Sequence, residues 1–443
     1  MAHIAIIVPP LTGHINPTVA LGQRLIERGH EVVWVGFSAP LTASLPAGLS
    51  ISSLDQPLGS GDADARDDQE TQAAQSRERD GLREARRGFA GLHFLWEEVL
   101  IPLARQTYSP VYQCLETARP DLCVVDQQMF SGAMACQALG LPYLTSSTTS
   151  AALIDALEAL PQVAAWSTAL LTDLWASVGL TERRQALTTA LGSEPDRAHD
   201  LSPYGVISFS SRRLALSATP DAKLPSRVHF VGPALEGARA EIDFPWERLD
   251  PDLPRLFFSM GTVNAERATP LYARLIEALR DTPVQVIAAA PPEAFSDAPA
   301  HWIVQRRVPQ LEVLAQVDAV FCHGGHNTTV EALAFGLPLI VTPIRDDQPV
   351  VAEQVKAVGA GLRLHFTRVR PAKLREAVKR ALTDSTLREA ALAVRREFMG
   401  DVFMESEQGM SQRPTRLAGS LGASRGAEVI ERALSLHSGS SHH

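Results

Sequence analysis

Short runs of apolar, β-favouring residues punctuate the chain at Ile4–Val8, Val32–Val35, Leu122–Val125, Arg255–Ser259, Val284–Ala288, Ala319–Cys322 and Leu339–Val341, and turn residues or helical patterning follow each of them. A run that is apolar throughout, instead of alternating, fits a strand buried on both faces, and such strands alternating with helices build a parallel sheet covered on both sides. The first two runs flank a segment with Leu21 and Leu25 on one helical face, Pro17 at the first helical position after Asn16, and Gly29 near its end. A βαβ unit therefore opens the chain, and an α/β class follows.

At 443 residues the chain exceeds what one core normally covers, about 250–300 residues. Two Pro-rich clusters, Val231-Gly232-Pro233 and Pro251-Asp252-Leu253-Pro254, flank a region without periodicity, and the βαβ pattern starts afresh after it. The expected layout is two doubly wound, Rossmann-like domains: residues 1–232, a linker at 233–254, and residues 255–420. The polar stretch from Gln56 to Arg83 reads as a mobile surface loop, and the terminal 438–443 reads as the remnant of an affinity tag.

Charge and cysteine usage narrow the function classes. Lys and Arg total 41 against 50 Asp and Glu, a formal charge of −9, which disfavours a nucleic-acid partner while leaving room for a local basic pocket around one diphosphate. Cys114, Cys123, Cys136 and Cys322 form no C-x-x-C pair and sit among apolar neighbours, as free thiols of a cytoplasmic protein do. No basic leader precedes the first strand, and Gly336 and Pro338 interrupt the longest apolar stretch, Leu333 to Ile344, so no transmembrane span is expected. Nothing in the sequence specifies an oligomeric partner.

The segment Phe321-Cys322-His323-Gly324-Gly325-His326-Asn327-Thr328-Thr329-Val330-Glu331-Ala332-Leu333 runs from an apolar strand end through two glycines into a helix. Unpaired N–H groups and the positive end of the dipole make such a helix start an anion site, and glycines let the backbone approach closely, so a diphosphate fits there. Glu331 lies one turn after Asn327, within reach of a ribose beside that diphosphate.

With its flanking motifs, this segment resembles the nucleotide-sugar signature of family-1 glycosyltransferases of the GT-B fold. Plant members begin the signature with Trp-x-Pro-Gln, continue with His-Cys-Gly-Trp-Asn-Ser and Glu, and close with Asp/Glu-Gln. This chain has Arg307-Val308-Pro309-Gln310, then His323 to Thr328 with Glu331, then Asp346-Asp347-Gln348, in the same order and spacing. The resemblance implies that Val308 and Gln310 meet the base and that Glu331 accepts from ribose hydroxyls. It further implies that His323, Gly324, Gly325, Asn327 and Thr328 hold the diphosphate, with Asp347 and Gln348 on the sugar. Ser259-Met260-Gly261-Thr262 is similar to the family's Ser-Phe-Gly-Ser loop, which makes Thr262 a further phosphate contact. Arg307 stands where plant members stack a Trp on the base, and His326 replaces a second Trp. A guanidinium plane can stack too, which leaves uridine and thymidine both open.

The other half of the expected site is the loop Pro9-Pro10-Leu11-Thr12-Gly13-His14-Ile15-Asn16-Pro17. In an open α/β sheet ligands bind at the carboxyl ends of strands, where His14 falls, and a near-neutral imidazole suits removal of a proton from an acceptor hydroxyl. Asp126 ends another strand and could orient that imidazole and stabilise its charged form. The family's His–Asp dyad occupies matching positions, so His14 and Asp126 are the expected catalytic pair. The resemblance implies direct displacement with inversion, and the helix end at Gly324–Thr328 would stabilise the departing diphosphate in place of a metal.

Phe94, Trp96, Met129 and Phe130 are candidate acceptor-lining residues, with Trp166 and Trp175 in a second apolar helical stretch. Asp62-Ala63-Asp64 imitates an Asp-x-Asp metal motif but lies in the polar loop, and His323 with His326 lacks a third ligand, so no metal and no cofactor beyond the nucleotide-sugar co-substrate, a UDP- or dTDP-sugar, are expected. The resemblance spans nearly the whole chain. It implies that the helix at 421–437 crosses back onto the first domain, and it breaks at 401–420, which is longer and more polar than the usual connection. Other readings are a GT-B nucleotide-sugar epimerase, a catalytically inactive sugar-nucleotide binder, and a nicotinamide-dependent oxidoreductase, the last disfavoured because Pro9 to Gly13 is no G-x-G-x-x-G.

Overall fold

The structure is a computed structural model that describes residues 1–55, 93–154, 161–190, 201–222, 224, 227–235, 242–261, 268–399 and 421–438. The loop expected at Gln56–Arg83, with Asp62 and Asp64, lies outside the described residues. So do Thr262, the 401–420 segment and the final residues 439–443.

Two sheets carry the fold, and every strand pair among the described residues is parallel. The first contains β1 (His3–Ile7), β2 (Glu31–Gly36), β3 (Ser50–Ser53), β4 (Leu122–Asp126), β5 (Tyr143–Ser147), β6 (Val206–Ser208) and β7 (Val228–Phe230), in the spatial order β3-β2-β1-β4-β5-β6-β7. The second contains β8 (Arg255–Ser259), β9 (Gln285–Ala289), β10 (Ile303–Gln305), β11 (Ala319–Cys322), β12 (Leu339–Val341) and β13 (Gly361–Arg363), in the order β10-β9-β8-β11-β12-β13. Strand order reverses between β1 and β4 and again between β8 and β11. Each reversal opens a crevice at the carboxyl ends of the strands, where α/β sheets bind ligands.

The apolar runs become strands because both sheet faces are covered. Ile4 and Ile6 point into one cluster with Leu21, Leu25 and Trp34, while Ala5 and Ile7 point into another with Val111, Leu115 and Cys136. In the second sheet, Phe257 and Ile287 face one cluster and Leu256, Phe258 and Phe321 face the other. The alternation that usually marks a strand is absent because there is no polar side.

Two features differ from the sequence reading. The helix after β1 runs Thr12–Glu27, so Pro17 lies inside it and not at its first position. A proline in the first turn is tolerated because the earliest N–H groups have no helical partner, whereas Pro17, the sixth residue, removes one bond that a regular helix makes. Several strands carry no apolar run at all: β3 reads Ser-Ile-Ser-Ser, and β5 ends Thr-Ser-Ser although fully buried. Burial of such a strand is eased where a hydroxyl finds a partner within the fold, as Thr145 Oγ1 of β5 does by accepting the Ser202 N–H at 2.7 Å.

The helix Leu421–Ser438 packs on the helix Thr12–Glu27 of the first half. Ala423, Ala427 and Ile430 join the cluster of Ile4, Leu21 and Leu25, and the lack of a side chain at Gly426 lets Leu21 Cδ1 sit 2.9 Å from where a Cβ would stand. At its edge Arg28 donates to Glu431 at 2.8 Å and His30 lies 3.3 Å from the same carboxylate. No helix among the described residues is long and apolar enough to cross a membrane, and the four cysteines are unpaired.

Candidate active site between the two sheets

His14 sits in the first turn of the helix Thr12–Glu27, directly past the carboxyl end of β1, and Asp126 is the last residue of the neighbouring β4. The strand-order reversal thus brings together two residues 112 positions apart. His14 Nδ1 lies 2.9 Å and 3.0 Å from the two Asp126 oxygens and 2.9 Å from Thr148 Oγ1, just past β5. A carboxylate only accepts, so Nδ1 carries the hydrogen and Nε2 keeps its lone pair for a proton. Asp126 is fully buried and held by the Gln128 N–H at 2.9 Å. Burial works against a charged His14 ring, but the Asp126 charge and hydrogen bond, together with the Asp347 charge, outweigh it and raise the His14 pKa above its ordinary value.

The second half supplies the opposing wall. Gly325 caps the helix His326–Ala334, whose start lies past the end of β11. Gly324 has φ of 90° and Gly261 has φ of 73°, a conformation that side chains avoid. A Cβ on Gly261 would stand 2.8 Å from the His323 ring and one on Gly325 would stand 2.6 Å from it, so the imidazole fills the gap between the two glycines. Desolvation pushes His323 down to about 4 against a hydrogen bond at the Ser259 backbone, with Arg345 adding to the depression, and desolvation likewise takes His326 to about 4. Both rings are neutral at physiological pH. An anion at this helix start would meet N–H groups and the helix dipole, with the Arg345 guanidinium as a cationic neighbour that the sequence reading did not single out.

Three of the expected donor residues come together. Gln310 Nε2 donates to Glu331 at 2.5 Å and lies 3.5 Å from Thr328 Oγ1, while Val308 is buried in the core beneath and Arg307 is exposed. Ser259 Oγ accepts the Gly261 N–H at 3.4 Å, which braces that loop. Gln348 is partly committed, since its Oε1 accepts the backbone N–H groups of Ile344 and Arg345 at 2.9 Å and 3.2 Å, and this bond holds the turn where Asp346 adopts φ of 56°.

Direct bonds join the halves across the crevice. Thr149 Oγ1 donates to Asp347 at 2.6 Å, Asn327 Nδ2 donates to the Gly13 carbonyl at 2.7 Å, and Ser150 Oγ donates to Gln354, which in turn donates to the Ala215 carbonyl, both at 3.0 Å. Desolvation raises the Asp347 carboxyl pKa, opposed by the Thr149 hydrogen bond and the His14 charge. Thr148, Thr149 and Ser150 were missed by the sequence reading. The one available signal was a run of six hydroxyl residues, Thr145 to Ser150, following an apolar pair at a strand's carboxyl end.

Comparison with known proteins shows what such a crevice belongs to. Residues 274–403 match the family model described as the C-terminal domain of erythromycin biosynthesis protein CIII-like proteins. The chain is 28% identical to the NDP-glycosyltransferase YjiC of Bacillus licheniformis over 85% of this chain and 88% of that protein. It is 26% identical to 4'-demethylrebeccamycin synthase of Lentzea aerocolonigenes, over 90% and 96%. Its fold matches the crystal structure of the glycotransferase of kitacinnamycin with a TM-score of 0.69, 22% identity, and coverage of 98% and 99%.

The chain is a glycosyltransferase of the GT-B fold.

These relatives do not favour the epimerase or inactive-binder readings. On the acceptor side of the transferase the structure corrects one expectation. Met129 and Phe130 are almost wholly buried in two core clusters, because β4 turns into the helix Phe130–Leu139 at this point and tucks them under it, so they are not an open pocket wall. Trp96 packs on Phe130 at 5.6 Å between ring centroids and meets Trp166 at 6.2 Å, while Trp166 donates to Glu97 at 3.0 Å and Trp175 is core. Phe94 and Trp96 remain half-buried, Trp96 at the edge of this aromatic group.

Proposed function

We propose that the transferase moves a hexose from a UDP- or dTDP-sugar onto a hydroxyl of a small, largely apolar natural product such as a polyketide, terpenoid or aromatic, with inversion at the anomeric carbon. The observation that carries this reading is the His14 ring, fixed through Nδ1 by a fully buried Asp126 and facing the Asp347 side of the second half. Nε2 takes the acceptor proton as the hydroxyl attacks, Asp126 and Asp347 stabilise the imidazolium that forms, and the diphosphate leaves toward the helix start at Gly324–Thr328. Glu331 and Gln310 take the ribose and base, Asp347 and Gln348 the sugar hydroxyls, and N–H groups in place of a divalent ion meet the phosphate charge. The free thiols support a cytoplasmic setting.

Mass spectrometry of reactions combining a panel of aglycones with UDP- and dTDP-sugars tests the reading. A product heavier than its aglycone by one sugar residue is the expected result. Donor consumption that yields only an epimerised or hydrolysed nucleotide sugar across the whole panel would sink it.

A further inference from the structure

We infer that Asn327 is a positioning residue for the catalytic base loop, acting through the Gly13 carbonyl, which Pro17 leaves without its helical donor. In an α-helix the carbonyl of residue i accepts the N–H of residue i+4, so in the helix Thr12–Glu27 the partner of the Gly13 carbonyl is the amide of residue 17. Pro17 has no N–H. The Gly13 carbonyl accepts instead from Asn327 Nδ2 at 2.7 Å, a bond between residues 314 positions apart that joins the first turn of one helix to the first turn of another.

The bond lies one residue before His14. Asp126 and Thr148 fix the ring at Nδ1, but both belong to the first half and give no register against the donor-binding half. Asn327 gives that register, because it sits in the helix start that receives the diphosphate while its side chain reaches the peptide next to the base. Pro17 makes the arrangement possible. A residue with an N–H there would close the helical bond and compete for the carbonyl.

The inference rests on the transferase reading and assigns the Asn327 side chain to the base loop rather than to the diphosphate. Four proteins test it: the parent, Asn327→Ala, Pro17→Ala and the double variant. Pro17→Ala replaces a poor helix former with the best one, so it is expected to fold. Affinity for free UDP and dTDP is read by calorimetry, kcat at saturating donor by product formation, and backbone exchange of the 12–16 peptide by deuterium uptake.

Asn327→Ala is expected to leave nucleoside diphosphate affinity within about twofold, to lower kcat by at least about tenfold, and to speed deuterium uptake in the 12–16 peptide. Pro17→Ala should lower kcat in the same direction with unchanged affinity. The double variant should be no worse than Asn327→Ala, because both changes act on one bond. A tenfold or greater loss of nucleoside diphosphate affinity in Asn327→Ala with kcat retained would make Asn327 a phosphate contact and overturn the inference, as would strictly additive losses in the double variant. Uptake that rises in Asn327→Ala in a protein that transfers no sugar would uphold the positioning role and count against the transferase reading alone. Unchanged uptake would overturn the positioning role whatever the activity.

Discussion

The hydroxyl of Thr149 donates to the carboxylate of Asp347 at 2.6 Å, so a residue beside the base helps hold the carboxylate proposed to read the sugar. Thr149→Val keeps the shape and deletes the donor, leaving a desolvated carboxylate one bond short at a cost of about 1–3 kcal/mol. The expected result is a roughly ten- to hundredfold fall in kcat/KM for the nucleotide sugar, with free nucleoside diphosphate binding unchanged. An equal loss for the free diphosphate would show that Thr149 acts on the whole donor site and not on the sugar.

His14→Ala should lower transfer to alcohol acceptors by about 10²–10⁴-fold, the usual contribution of a positioned general base. Donor affinity should hardly move, since the ring acts on the acceptor. Asp126→Asn should cost less, because it weakens the orientation of the ring without removing it. Steady-state kinetics beside calorimetry separates the two effects, and full turnover in His14→Ala would remove the ring from the mechanism.

The pH profile follows from the charges around His14. Burial depresses its pKa, but Asp126 and Asp347 more than compensate, so the folded value lies above the ordinary one. The base works only when unprotonated, so kcat/KM should fall as the pH drops through that raised pKa. Asp347→Asn removes one of the raising charges and should move the acid limb to lower pH. A limb that stays put, or moves up, would mean that the titrating group is not His14.

Glu331→Ala should weaken nucleoside diphosphate binding by about 1.5–3 kcal/mol if the carboxylate accepts from ribose hydroxyls. The Gln310 amide, now 2.5 Å from that carboxylate, loses its acceptor as well. Calorimetry with UDP and dTDP gives the number directly, and an unchanged dissociation constant takes Glu331 out of the ribose site.

Excess chelator should leave the rate intact. Backbone N–H groups at Gly324–Thr328 cannot be stripped by EDTA, and the neutral His323 and His326 lie beside glycines that suit phosphate. Initial rates before and after extensive dialysis against chelator decide the matter. Activity lost and then restored by manganese or magnesium would replace this account with a metal-assisted one.

Much of this was legible in the sequence for a physical reason. Strands such as Ile4–Ile7 and Phe257–Phe258 bury both faces and so read as unbroken apolar runs, and the turn from Cys322 through Gly324 to Asn327 spells out its geometry in glycines. The polar strand β5 was not legible, because hydroxyls such as that of Thr145 are met by partners that only the fold supplies, here the Ser202 N–H. Thr148 and Thr149 escaped for the same cause: their partners His14 and Asp347 lie 134 and 198 positions away. The placement of Pro17 misled because a proline after Asn16 suits a helix start, whereas the observed helix begins five residues earlier and the Gly13 carbonyl that Pro17 leaves without a helical donor is met by Asn327, 314 positions away.

The helix Leu421–Ser438 has a bearing on how the chain is made. Its Ala423, Ala427 and Ile430 complete the apolar cluster around Leu21 and Leu25, and its Glu431 meets Arg28 across 403 positions of sequence. During synthesis the amino-terminal sheet emerges long before that helix, so one side of its first helix stays uncovered until nearly all of the second sheet has left the ribosome. The two halves are therefore not independent folding units in the order of their translation. A stretch that emerges after the whole of the second sheet seals the first, and a chain cut short before residue 421 would expose Leu21 and Leu25 to any chaperone or protease that reaches them.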